Sequence, residues 1–92
     1  METVKIPTPL KKFTGDQSAI ETNGGTVLES IADLAVQFPD LKNQLFDPSG
    51  ALRSFVRIYV GEEDINALQK EQTPVAPDTV ISIIPAIAGG AN

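Results

Sequence analysis

Residues 26–39 read Thr26-Val27-Leu28-Glu29-Ser30-Ile31-Ala32-Asp33-Leu34-Ala35-Val36-Gln37-Phe38-Pro39, and the spacing of apolar residues in this stretch decides the fold. Val27, Leu28, Ile31, Leu34, Ala35 and Phe38 recur as one apolar stripe of a helix, which leaves Glu29, Ser30, Asp33 and Gln37 to face water. Thr26 and Glu29 fit a capping box, with the Thr26 hydroxyl and the Glu29 carboxylate each satisfying an amide of the other residue. Asn23-Gly24-Gly25 supplies the turn before the helix. Pro39 ends it, because proline disfavours helical geometry in the residue that precedes it.

Strand patterns lie on both sides of this helix. Upstream, Thr3-Val4-Lys5-Ile6 alternates so that Val4 and Ile6 share a face, and Pro7 and Pro9 close the run. Residues 10–17 read as a loop, and Ser18-Ala19-Ile20-Glu21-Thr22 as the second strand of a hairpin. Downstream, Leu41, Leu45 and Phe46 suggest one further short helical turn. Asp47-Pro48-Ser49-Gly50 then carries turn residues at each position where a type I turn favours them. Ser54 to Val60 is the clearest strand, with Val56, Ile58 and Val60 on one face and Phe55, Arg57 and Tyr59 on the other. Gly61-Glu62-Glu63-Asp64 turns into a brief strand expected near Ile65, and a polar, proline-containing loop runs from Asn66 to Asp78. Thr79 to Ile84 is a β-branched last strand, with Ile81 and Ile83 opposite Val80, Ser82 and Ile84. A sheet with a single main helix buries the helix stripe against one sheet face, so the order predicts a two-layer α+β domain. That order and size resemble the β-grasp, or ubiquitin-like, fold, which implies a mixed sheet of four to five strands packed on one main helix. The domain is expected to span residues 1–85, with residues 86–92 as a flexible C-terminal tail containing Gly89-Gly90.

Composition restricts the chemistry. The 92 residues suffice for one small domain, and with 41% hydrophobic and 21% charged residues the chain is globular in type. It contains no His and no Cys, so the common neutral-pH proton shuttle, the thiol nucleophile and the ligands preferred by zinc are all missing. No pair of carboxylates stands at a recognisable catalytic spacing, and Glu62-Glu63-Asp64 lacks the alternation of an EF-hand loop. The chain is therefore read as a non-enzyme that binds neither metal nor cofactor of its own. Net charge is −5 and the seven basic residues, Lys5, Lys11, Lys12, Lys42, Arg53, Arg57 and Lys70, are scattered. That pattern argues against nucleic acid and against an anionic membrane as partners. The uncharged run from Thr79 to Asn92 is too short and too broken to span a bilayer. With no cysteine and no leader-like start, the chain is expected to be cytoplasmic.

Glycine lacks a Cβ, so Gly89 and Gly90 can thread a channel too narrow for other residues, on a tail that reaches roughly 20 Å from Pro85. The ending Ile83-Ile84-Pro85-Ala86-Ile87-Ala88-Gly89-Gly90, the strand Phe55-Val56-Arg57-Ile58-Tyr59-Val60 and the acidic turn Glu62-Glu63-Asp64 together resemble the sulfur carriers of the ThiS/MoaD family. The Pro-Ala-x-Ala-Gly-Gly ending is similar to the branch that serves cysteine biosynthesis. The resemblance implies that a partner, an E1-like activating enzyme of the ThiF/MoeB kind, uses ATP to adenylate the Gly90 carboxylate. Sulfur then replaces AMP, and the thiocarboxylate is delivered to an acceptor enzyme. Gly90 would carry the sulfur, and Gly89 would provide the slender approach. The acceptor implied is a cysteine-synthase-like enzyme or, for the small subunit of molybdopterin synthase, the large subunit of that enzyme; a thiamine-pathway carrier is a further family alternative. Here the chain continues past Gly90 with Ala91-Asn92, and an amide at Gly90 cannot be adenylated. The resemblance thus also implies trimming by a JAMM-type metalloprotease. A ubiquitin-like protein modifier or a plain interaction domain are the readings from another class.

Strand alternation leaves Phe55, Tyr59, Val80 and Ile84 on the sheet face away from the helix, beside the tail. A contiguous apolar patch on so small a domain marks a partner surface, and Arg57 is placed as a polar anchor within it.

Overall fold

The structure, a computed structural model, describes residues 1–54 and 56–85. Five strands form one sheet: β1 (Glu2–Lys5), β2 (Ala19–Thr22), β3 (Val56–Val60), β4 (Glu63–Asp64) and β5 (Val80–Pro85). Their order is β2-β1-β5-β3-β4, with β1 and β5 parallel and every other pair antiparallel. Two helices, α1 (Val27–Gln37) and α2 (Pro39–Leu45), cover one face. This is the expected β-grasp architecture.

The core lies between the inner sheet face and the helix stripe. Val4, Ile20, Ile58, Ile81 and Ile83 point inward from the sheet, and Val27, Ile31, Leu34 and Ala35 from α1, all of them buried. Leu28 and Phe38 complete the stripe as half-buried residues packed against this cluster. Each fully buried Leu or Ile contributes about 1.5–3 kcal/mol, so the stripe is the chief source of helix stability.

Several local readings change. Residues 8–13 form a 3-10 helix rather than a loop, with Leu10 buried and proline in the first positions, where a missing N–H costs nothing. Pro39 ends α1 and also begins α2: Phe38 donates its N–H to Leu34 O at 2.9 Å, and its own carbonyl accepts from Leu41 N–H at 2.9 Å. The single further turn is thus a seven-residue helix. The brief strand near Ile65 lies just before it, at Glu63–Asp64, while Ile65–Ala67 is a 3-10 turn with Ile65 buried.

The capping box is shifted by one residue. Thr26 Oγ1 accepts from Glu29 N–H at 3.2 Å, but the Glu29 carboxylate accepts from Gly25 N–H at 2.7 Å. Gly24 passes so close to the helix that a Cβ there would stand 2.7 Å from Ser30 N. Ser30 itself does not face water. It is fully buried, and its hydroxyl donates to Glu2 Oε1 at 2.7 Å, with Glu2 only 3% exposed.

The Asp47 turn forms as read, closed by Gly50 N–H donating to Asp47 O at 2.9 Å. The Asp47 carboxylate also accepts from the Ser49 hydroxyl and from the N–H groups of Ser49 and Ala51. The Ser49 hydroxyl first, then the Ala51 N–H, hold its pKa below the ordinary value of 3.8. A carboxylate depressed in the folded state stabilises above its unfolded pKa, and that contribution is lost as pH falls through the folded one. The stability difference between the native chain and Asp47→Asn is therefore expected to be constant near neutrality and to shrink below a pH of 3.8. Thermal melts of both proteins across that range check it; a difference independent of pH would contradict it.

Candidate functional site

The outer face of the sheet carries four of the five expected docking residues. Arg57 stands opposite Ile84, and Tyr59 opposite Ser82, across the β3–β5 ladder. Because the side-chain period of a strand is two, Arg57, Tyr59, Val80 and Ile84 all share the face away from α1. Val80 and Ile84 flank Ser82, so Tyr59 lies diagonal to both. Such diagonal neighbours stand about 7–8 Å apart, within reach of an aromatic side chain. Val80 is 38% and Ile84 48% exposed, while Tyr59 is half-buried. Phe55, Gly89 and Gly90, and with the last two the expected tail 86–92, lie outside the described residues.

Arg57 is already engaged, which sequence reasoning missed. Its guanidinium donates to Asp64 Oδ2 at 3.3 Å. Asp64 is the antiparallel partner of Tyr59, so Arg57 reaches it diagonally across the β3–β4 turn. The other Asp64 oxygen accepts from Asn66 N–H at 2.9 Å and caps the 3-10 turn that follows. The last residue of the acidic turn thus has a structural task, whereas Glu62 and Glu63 are exposed. An exposed ion pair of this kind contributes at most about 1 kcal/mol. Its geometric effect is to hold the guanidinium along the sheet surface beside Ile84 and Tyr59.

Lys5 on β1 stands opposite Ser82 from the other side, so the apolar patch is bordered by charges. The face offers apolar area, a phenol and the cations Arg57 and Lys5, which is the chemistry of binding rather than of bond making. Among the described residues no cluster of three acidic side chains is placed to hold a metal ion, and no helix is long and apolar enough to cross a membrane.

A five-stranded mixed sheet wrapped on one main helix, with an apolar outer face beside the end of its last strand, defines a β-grasp protein of the ubiquitin-like class. Within that class the chain belongs to the ThiS family, whose profile matches residues 4–90. It is 39% identical over 90 residues to the sulfur carrier protein CysO of Mycobacterium bovis and to that of Mycobacterium tuberculosis, covering 96% of this chain and 97% of theirs. A chain in the crystal structure of the BexX/CysO complex of Amycolatopsis orientalis superposes with a TM-score of 0.88 at 34% identity, covering 98% of this chain and 100% of that one. For crystalline Mycobacterium tuberculosis CysO the TM-score is 0.85 at 36% identity, with 95% and 100% covered. Small archaeal modifier protein 1 of Methanosarcina acetivorans shares the fold, with a TM-score of 0.87 at 23% identity. The chain is thus a ThiS/MoaD-family sulfur carrier, a small protein of the carrier and modifier type.

Proposed function

We propose that this chain carries sulfur as a thiocarboxylate on Gly90 for cysteine biosynthesis in the cytoplasm. The observation that carries this reading is where the family match stops: it runs to residue 90 and leaves Ala91-Asn92 beyond it. The Pro-Ala-x-Ala-Gly-Gly ending and the identity to the CysO sulfur carriers support the branch.

The steps follow from carboxyl chemistry. Water, activated by a JAMM-type metalloprotease, cleaves the amide between Gly90 and Ala91 and frees a carboxylate. A carboxylate resists nucleophiles because its charge is delocalised. An E1-like activating enzyme removes that obstacle: the Gly90 carboxylate attacks the α-phosphorus of ATP, the bond to the β-phosphate breaks, and pyrophosphate leaves. A sulfur nucleophile then attacks the carbonyl carbon of the mixed anhydride and AMP departs, taking one carboxylate oxygen with it. A cysteine-synthase-like acceptor enzyme receives the sulfur. The energy comes from ATP, so the carrier requires no catalytic side chain and no bound cofactor.

Recognition by the activating enzyme falls to Phe55 and, on the outer face, to Arg57, Tyr59, Val80 and Ile84, with Gly89 and Gly90 entering its active site. Interface aromatics surrounded by apolar neighbours are where binding energy concentrates. ATP–pyrophosphate exchange supported by the chain ending at Gly90 tests the activation step. Tyr59→Ala is expected to raise the carrier concentration needed for half-maximal exchange by about tenfold, with the maximal rate preserved and the fold intact. Unchanged half-saturation would remove this face from the interface, and absence of exchange with the unsubstituted chain ending at Gly90 would remove the activation step.

A further inference from the structure

A second feature lies on the other side of β3. A pocket of about 160 Å³ opens where the 52–54 segment meets Ile65 and the 66–71 loop. Leu52, Val56, Ile58 and Ile65 give it an apolar lining, and Arg53 and Lys70 are the basic residues among those that line it. Those are two of only seven basic residues in a chain of net charge −5. Neither takes part in an ion pair within 4.0 Å among the described residues, where Arg57–Asp64 is the pair observed. Glu71 also lines the pocket, so its rim carries two basic residues and one acidic residue.

Lys70 is also a point of backbone strain. Lys70 has φ +55°, the left-handed region that a lysine seldom occupies. Thr73, 5% exposed, holds it there: its N–H and its hydroxyl both donate to Lys70 O, at 3.0 and 2.7 Å, and its hydroxyl accepts from Gln69 N–H at 3.0 Å. Strain of this sort persists where the surroundings over-determine it, and it concentrates at functional positions.

Size and chemistry select the occupant. Sites for drug-sized molecules run from about 300 Å³ upward, so this volume suits a single side chain rather than a nucleotide. Inorganic phosphate would meet the basic residues but has no methylenes to set against the four apolar ones, where it would lose hydration. A glutamate side chain meets both requirements, with methylenes for the apolar lining and a carboxylate for the two cations. We propose that this pocket is a docking site for a glutamate side chain presented by a partner protein, separate from the outer sheet face and independent of the chemistry at Gly90.

The test is an NMR titration of the isotopically labelled full chain with the peptide acetyl-Ala-Glu-Ala-amide, with the Gln peptide and inorganic phosphate as parallel probes. Saturable shifts are expected at the amides of Arg53, Ser54, Asn66 and Glu71 with the Glu peptide alone. Lys70→Gln should weaken that binding about two- to fivefold, and Glu71→Gln should strengthen it by a similar factor, because each changes one charge at the rim. Lys70→Gln is preferred to Arg53→Gln, since Arg53 Nε also donates to Asn43 O at 2.9 Å and its loss disturbs the loop. Absence of saturable shifts, equal shifts with the Gln peptide, or indifference to the Lys70 and Glu71 substitutions would overturn the proposal. Binding of phosphate in preference to the Glu peptide would overturn it too, by making the pocket a free-anion site.

Discussion

Ser30→Ala is expected to destabilise the domain by about 1–3 kcal/mol, although serine on a helix surface would ordinarily tolerate alanine without loss. The Ser30 hydroxyl is fully buried and is the donor to Glu2 Oε1. Its removal leaves a buried carboxyl oxygen without that partner, and an unsatisfied buried acceptor costs far more than the modest net worth of an average hydrogen bond. Glu2 is paired across the hairpin with Thr22, whose buried Oγ1 has no hydrogen-bond partner among the described residues. Thr22→Val removes an unsatisfied hydroxyl and is therefore expected to be neutral or stabilising. Thermal or urea unfolding of the two variants reads the contrast, each kcal/mol corresponding to roughly 4–8 °C in a domain of this size. A Ser30→Ala loss below about 0.5 kcal/mol, the range of ordinary surface substitutions, would mean that the buried pair contributes nothing.

Gly89→Val is expected to lower kcat/KM for adenylation of Gly90 by about a hundredfold or more while leaving the unfolding transition unchanged. In the proposed chemistry the reacting carboxylate belongs to the next residue, so a β-branched side chain at position 89 would enter the enzyme channel directly before it. Displacing a reacting group by about 1 Å suffices for a loss of that order. On that proposal glycine serves there through the absence of a Cβ more than through its backbone freedom. Gly89→Ala, with one added carbon, is expected to fall between the two. Equal rates for the glycine, alanine and valine forms of the chain ending at Gly90 would show that the approach to Gly90 is not narrow.

The contrast between these two predictions shows what could be read from the sequence. The helix stripe from Val27 to Phe38 and the alternation in β3 and β5 fixed the layers, because both depend on local periodicity alone. The same alternation put Arg57, Tyr59, Val80 and Ile84 on one outer face. The buried pair was also written in the periodicity: Glu2 shares its strand face with Val4, and Ser30 sits three residues after Val27 and four before Leu34. Residue type outweighed position there, since a glutamate and a serine are expected outside. The 3-10 helix at residues 8–13 is hard to read because Pro7 and Pro9 look like breakers, although proline suits the start of such a turn. Asp64 as partner of Arg57 depends on the β3–β4 register, and the Arg53–Lys70 pocket on two segments far apart in the chain. Neither leaves a local sequence signal.

Intact-mass measurement tests the central claim most directly. The native 92-residue chain and a form ending at Gly90 are each incubated with ATP, sulfide and a ThiF/MoeB-like activating enzyme of proven activity on its own carrier. The account predicts a gain of about 16 Da, one oxygen exchanged for sulfur, on the form ending at Gly90 and no gain on the chain that retains Ala91-Asn92. No gain on either form would contradict the carrier chemistry, and a gain on both would contradict the masking role of the last two residues.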